Sequence, residues 1–91
     1  MKYSLHFTAG FKKDYKLVKK QNKDIVKLEN IISQLAEGEK LKKQYHNHKL
    51  TGKYKSYREC HIEPDWLLIY QIAEDKLVLV RTGSHSELFK K

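Results

Sequence analysis

The stretch Trp66-Leu67-Leu68-Ile69-Tyr70-Gln71-Ile72-Ala73-Glu74-Asp75-Lys76-Leu77-Val78-Leu79-Val80-Arg81 decides the fold. Two apolar runs rich in β-branched and aromatic residues flank a polar break at Ala73-Glu74-Asp75, and runs this short with a turn between them read as two strands. A turn this tight joins only antiparallel neighbours, because a parallel return needs a crossover of about a dozen residues or more. Immediately upstream, Pro64-Asp65 turns the chain, since proline has no N–H to give to a ladder. The segment from about Lys55 to Glu63 is therefore expected to be a third strand of the same antiparallel meander. Alternation along it places Arg58, Cys60 and Ile62 on one face and Tyr57, Glu59 and His61 on the other. The first set is expected to meet the core, which turns His61 toward the open side of the sheet. In the last strand, Arg81 shares a parity class with Leu77 and Leu79.

The N-terminal half supplies the layer that covers this sheet. Tyr3, Leu5 and Phe7 alternate with Ser4 and His6, the period of a half-buried strand. Thr8 is placed to cap a helix in which Phe11, Tyr15 and Val18 share one face, while Lys12, Lys13, Lys16, Lys19 and Lys20 occupy much of the rest. After a break near Gln21-Asn22, Ile25, Leu28, Ile32 and Leu35 recur at helical spacing until Gly38 ends the pattern. Glu39 to Gly52 is polar and reads as a basic, irregular loop carrying His46 and His48. Beyond Arg81, Gly83 breaks the last strand. Ser84 followed three residues later by Glu87 fits a capping box, so a short helix begins with His85 in its first turn, where free N–H groups attract a phosphate. The resulting class is α+β: an N-terminal strand and a helical hairpin packed on one face of an antiparallel four-strand sheet, closed by a short C-terminal helix.

Ninety-one residues make one domain, 1–91, with a single modest core. Nineteen Lys and Arg against eleven Asp and Glu leave a formal charge of +8, which favours a polyanionic partner, nucleic acid first. Only Arg58 and Arg81 are arginines. Lysines are compact point charges suited to backbone attraction, whereas arginine offers a planar fork for a phosphate. Cys60 is alone, which rules out an intrachain disulfide and a secreted disulfide scaffold. No apolar run approaches the roughly 18 to 20 residues of a membrane span, and the N-terminus lacks a signal-peptide core. A cytoplasmic protein with no membrane partner is expected.

Candidate chemistry lies in three polar-to-apolar transitions: His48-Lys49-Leu50-Thr51-Gly52, Tyr57-Arg58-Glu59-Cys60-His61 through Trp66, and Arg81-Thr82-Gly83-Ser84-His85 through Phe89. Cleaving RNA without a metal needs a base for the ribose 2'-OH, an acid for the departing 5'-oxygen, and cations for the crowded phosphorane. Histidine suits either proton role near neutrality, which nominates His48, His61 and His85. Arg81 is the candidate for the nonbridging oxygens, and Asp65 for orienting a histidine or moving a proton itself. Trp66 and Phe89 offer flat surfaces on which a base stacks, unless they belong to the core. A zinc site built from His46, His48, Cys60 and His61 competes with this reading, but lacks the paired ligands at short separation that structural zinc draws. No metal and no cofactor are expected, and His6 and His46 take no role.

In that order and at that spacing, the three blocks resemble the RelE-like toxins of bacterial type II toxin-antitoxin systems, most closely the YafQ-like branch, over nearly the whole chain. The resemblance implies a ribosome-dependent mRNA endonuclease that inhibits translation and leaves a cyclic or 3'-phosphate and a 5'-OH. It further implies that His48, His61, Asp65, Arg81 and His85 are catalytic and that Trp66 and Phe89 engage the message. The partners implied are a cognate acidic antitoxin, the ribosome and mRNA, with operator DNA met only through the antitoxin complex. Two other classes compete. A non-catalytic ParE-like toxin on the same scaffold needs no organised set of histidines, and a small basic nucleic-acid-binding protein would show a recognition-helix motif, which does not stand out.

Overall fold

In the computed structural model, which describes residues 2–52 and 56–89, the elements run β1 (Ser4–Phe7), α1 (Ala9–Lys20), α2 (Ile25–Ala36), a 3-10 turn (Lys43–Tyr45), β2 (His48–Lys49), β3 (Arg58–Glu63), β4 (Trp66–Ala73), β5 (Lys76–Gly83) and α3 (His85–Phe89). The expected start of the third meander strand at Lys55 lies outside the described residues. Local chemistry fixes the helix ends. The Thr8 hydroxyl accepts from Phe11 N at 3.0 Å and donates to Val80 O at 2.7 Å, so one side chain caps α1 and ties it to β5. Asp24 caps α2 by accepting from Lys27 N, and Gly38 leaves it at φ 78°, where glycine carries no Cβ penalty.

Both helices lie on one face of the sheet. α1 buries Phe11 and Val18, and α2 buries Leu28, Ile31, Ile32, Leu35 and Ala36, against Cys60, Ile62, Trp66, Leu68, Tyr70, Leu77 and Leu79. Each fully buried large apolar side chain contributes about 1.5–3 kcal/mol relative to leaving it in water. Cys60 and Ile62 stand in this core as their parity requires, and Arg58 on the same face donates from Nε to Tyr70 Oη and Asn47 Oδ1. Among the described residues, no helix is long and apolar enough to cross a membrane.

The sheet differs from the expectation in two respects. It has five strands in the order β1-β5-β4-β3-β2, and β1 pairs with β5 in parallel, Ser4 facing Lys76 and Phe7 facing Leu79. The four-strand, fully antiparallel sheet is therefore corrected to a mixed one. Everything from α1 to the end of β4 lies between β1 and β5, and a connection that long permits parallel return. The fifth strand is β2, two residues inside the segment read as irregular loop, too short to show alternation. The meander is antiparallel throughout, as its tight turns demand.

One irregularity sets up the site. Ile69 faces Arg81 and Tyr70 faces Leu79, so Val80 is an extra residue in β5. Leu77, Leu79 and Thr82 consequently all turn into the core, while Arg81 falls on the opposite face with Ile69. The shared parity of Arg81 with Leu77 and Leu79 is thus corrected by a bulge that no simple alternation reveals.

Candidate active site on the second face of the sheet

Cross-strand partners share a face, and the register lines the site up in two rows. His48, Glu59, Ile69 and Arg81 form one row across β2, β3, β4 and β5; His61, Leu67 and Gly83 form the next. Glu59 is 6% exposed, and its Oε1 lies 3.1 Å from His61 Nε2 and 3.3 Å from His48 Nε2, so one buried carboxylate oxygen joins two imidazoles. His61 is the hub. Its ring centroid lies 5.5 Å from that of His46, 5.6 Å from His85 and 6.5 Å from His48.

His85 reaches this cluster from α3, which folds back over Gly83: a Cβ there would come within 3.0 Å of Glu87 Oε1 and 3.3 Å of Leu88 Cδ2. The capping box is present in both directions, with Ser84 N donating to Glu87 Oε1 at 2.8 Å and Glu87 N donating to Ser84 Oγ at 3.2 Å. Asp65 Oδ1 accepts the His85 backbone N–H at 3.0 Å and meets His85 Nδ1 at 2.7 Å. The backbone N–H first, and the imidazole second, hold the Asp65 carboxyl below the usual carboxylate range. An ionised carboxylate can only accept, so Nδ1 carries the proton and Nε2 is the nitrogen left for chemistry. The expectation of free N–H groups awaiting a phosphate is corrected at three of the four positions that open α3. Those of His85, Glu87 and Leu88 are bonded to Asp65 Oδ1, Ser84 Oγ and Ser84 O.

The remaining candidates are placed differently. Arg81, in the row of His48 and Glu59, gives Nε to Asp14 Oδ2 at 2.6 Å and Nη2 to Asp14 Oδ1 at 3.2 Å. The hydrogen bonds it donates to Asp14 foremost raise the guanidinium pKa above its ordinary value, and the side chain remains 40% exposed. Phe89 ends α3 half-buried. Trp66 is 1% exposed, with Nε1 donating to Thr82 Oγ1 at 2.9 Å and the Lys23 ammonium 5.6 Å from the ring centroid. The stacking surface read at Trp66 is therefore corrected: the ring is a core residue because its strand parity points it at the helices.

Three residues of the site lacked a sequence assignment. Glu59 carried a signal, sharing a strand face with His61 two residues away. Asp14 carried one too, a lone acid in the Phe11-Tyr15-Val18 stripe of a lysine-rich helix. His46, at φ 47° after the 3-10 turn, carried none. As for a metal, the ligand atoms of His48, Glu59 and His61 lie within 4.8 Å of one another, a spacing that suits a divalent cation. The His46, His48, Cys60 and His61 set is not brought together, since Cys60 is fully buried on the core face and burial foremost pushes its thiol up to about 12.

Residues 3–90 match the family described as bacterial toxin of type II toxin-antitoxin system, YafQ. The chain belongs to the YafQ toxin family. It is 38% identical over 86 residues to the mRNA interferase toxin YafQ of Escherichia coli K12, covering 93% of this chain and 94% of that one. A copper-bound mutant toxin from Helicobacter pylori superposes with a TM-score of 0.92 at 41% identity, covering 96% of this chain and 99% of the other. YafQ in the E. coli DinJ-YafQ complex superposes at 0.90 with 38% identity, covering 96% and 98%. The agreement with YafQ toxins extends to the α+β architecture itself.

Proposed function

We propose that this YafQ-family toxin is a ribosome-dependent mRNA endonuclease that cleaves by attack of the ribose 2'-OH. The observation that carries the reading is the convergence of His48, His61 and His85 on one sheet face, around buried Glu59 and with His85 held in one tautomer by Asp65. Two proton transfers need two positioned groups that titrate near neutrality, and histidine supplies them. Arg81, in the row of His48 and Glu59, supplies charge for the nonbridging oxygens of the phosphorane. Phe89, half-buried at the end of α3, is the proposed ring for a base. These groups cover the proton and charge requirements of the 2'-OH route without a metal, so cleavage persists when EDTA is added.

A chain this small surrounds little of an RNA, and the ribosomal A site supplies the missing proximity and alignment. Ribosome-bound message is therefore cut faster than naked RNA. A non-catalytic ParE-like toxin gives no account of the organised histidines. Inducing the wild type and Arg81→Ala in cells and mapping RNA 5' ends tests the reading: new 5'-OH ends within coding regions, absent in the variant, are expected. Equal cleavage of naked and ribosome-bound RNA by the purified protein would overturn the ribosome requirement.

The structures of YafQ with DinJ support an antitoxin as partner for this chain. Leu5, Phe7, Phe11 and Tyr15 line an apolar groove of about 640 Å³ between β1, α1 and α2, rimmed by Lys12 and Lys16. Phe7 is 44% exposed there. Apolar walls with a basic rim on a +8 chain suit an apolar segment of an acidic antitoxin, charge setting the encounter and burial slowing release.

A further inference from the structure

We infer that Asp14 is the positioning residue of the active site, holding Arg81 by one edge of its guanidinium so that the opposite edge faces the scissile phosphate. The inference rests on the endonuclease reading and extends it to a residue on α1, outside the histidine face. Asp14 is 9% exposed on a helix otherwise crowded with lysines, and both its oxygens are engaged. Oδ2 takes Arg81 Nε at 2.6 Å and Thr82 N at 3.1 Å; Oδ1 takes Arg81 Nη2 at 3.2 Å. A guanidinium has five N–H donors in a rigid plane. Asp14 uses the Nε–Nη2 edge, which leaves both Nη1 protons and the second Nη2 proton, the fork that matches two phosphate oxygens.

The clamp is anchored on both sides. Phe11 and Val18 fix α1 in the core one turn either way from Asp14, and Thr8 ties the start of the helix to Val80 O. Gly10 leaves room for the arginine stem, since a Cβ there would sit 3.0 Å from Arg81 Cδ. Thr82 N, the backbone donor to Asp14, follows Arg81 directly after the bulge at Val80. One carboxylate thus fixes the side chain and the strand that carries it. An arginine that must find its rotamer anew in each encounter pays in ordering, and one held in advance does not.

A double-mutant cycle on programmed ribosomes, with single-turnover cleavage at saturating toxin, tests this. Asp14→Asn keeps an oxygen for Thr82 N and removes the charge that holds the fork. It is expected to lower the cleavage rate on the order of tenfold to a hundredfold, with toxin–ribosome affinity little changed. In the Arg81→Ala background, Asp14→Asn is expected to have almost no further effect, because the two residues act as one unit. If Asp14→Asn does not fold, as judged by its melting curve, Asp14→Glu replaces it in the same cycle, keeping charge but displacing the fork. A wild-type rate for the single variant, a faster rate, or additive losses in the cycle would overturn the inference. Wild-type toxin that leaves ribosome-bound message intact would instead overturn the endonuclease reading on which it rests.

Discussion

Replacing Trp66 with phenylalanine separates two roles that an aromatic residue beside a nuclease site can play. The ring is 1% exposed, and its Nε1–H donates to Thr82 Oγ1, whose own hydroxyl donates to Leu67 O at 2.7 Å. In Trp66→Phe the hydrogen bond disappears, yet the Thr82 hydroxyl keeps its acceptor, so no buried donor is orphaned and the loss is about 1 kcal/mol. The missing part of the indole leaves a void in a close-packed core. Full truncation of a buried aromatic to alanine costs about 3–5 kcal/mol, and this smaller deletion a fraction of that, roughly 1–2 kcal/mol. Together these give about 2–3 kcal/mol, which lowers the melting temperature of a domain this size on the order of 10–20 °C.

Activity responds differently. With no open face on which a base stacks, Trp66→Phe is expected to cleave ribosome-bound message within a few-fold of wild type at a temperature where it is fully folded. The assays are thermal denaturation followed by circular dichroism and single-turnover cleavage on the same preparation. A melting temperature almost unchanged, together with a marked loss of RNA affinity, would refute the assignment of this ring to the core.

Replacing His85 with glutamine keeps hydrogen bonding but not titration, and is expected to slow single-turnover cleavage on the order of a hundredfold or more, with ribosome affinity preserved. Acid should loosen α3 selectively: the bond from Ser84 N foremost holds the Glu87 carboxyl below its ordinary value, and the bonds from His85 do the same for Asp65. Their contribution is complete above the ordinary carboxylate value and fades as the pH falls through the lowered one, so melting curves of wild type and Glu87→Gln should converge in that acid window. Phe7→Asp places a charge in the apolar groove of β1 and α1 and is expected to weaken capture of the coexpressed acidic antitoxin while leaving cleavage by the free toxin intact, measured by copurification and by cleavage on ribosomes.

Much of this was legible in the chain. Thr8, Gly38 and the Ser84 to Glu87 box mark helix ends by chemistry that acts within four residues, and such local signals survive folding unchanged. The meander was legible because tight turns leave strand direction no choice. What was not legible depended on distant partners. β1 alternates identically whichever way its neighbour runs, so its parallel pairing with β5 is decided by the intervening chain. Two residues of β2 cannot display a period of two. Trp66 and Phe89 are both aromatic and both flank polar segments; only the strand parity of one and the terminal helix of the other separate a fully buried ring from a half-buried one.

The site depends on a single inserted residue. Side chains alternate along a strand, so without Val80 as an extra residue Arg81 would follow Leu77 and Leu79 into the core and Thr82 would face outward. The insertion lets Thr82 meet Trp66 Nε1 on one face while Arg81 stands in the row of His48 and Glu59 on the other. Bulges bend the strand they interrupt, and this one lies where Thr8 Oγ1 bonds Val80 O and Asp14 takes both Arg81 and Thr82 N. Helix α1 therefore does two things at this point: it buries Phe11 and Val18 in the core, and its polar groups accept or cap the strand whose pairing the bulge disturbs. Core packing and the proposed phosphate contact of Arg81 meet at the bulge, whereas the exposed imidazoles of His48 and His85 sit far enough into solvent to be exchanged without unpacking the core.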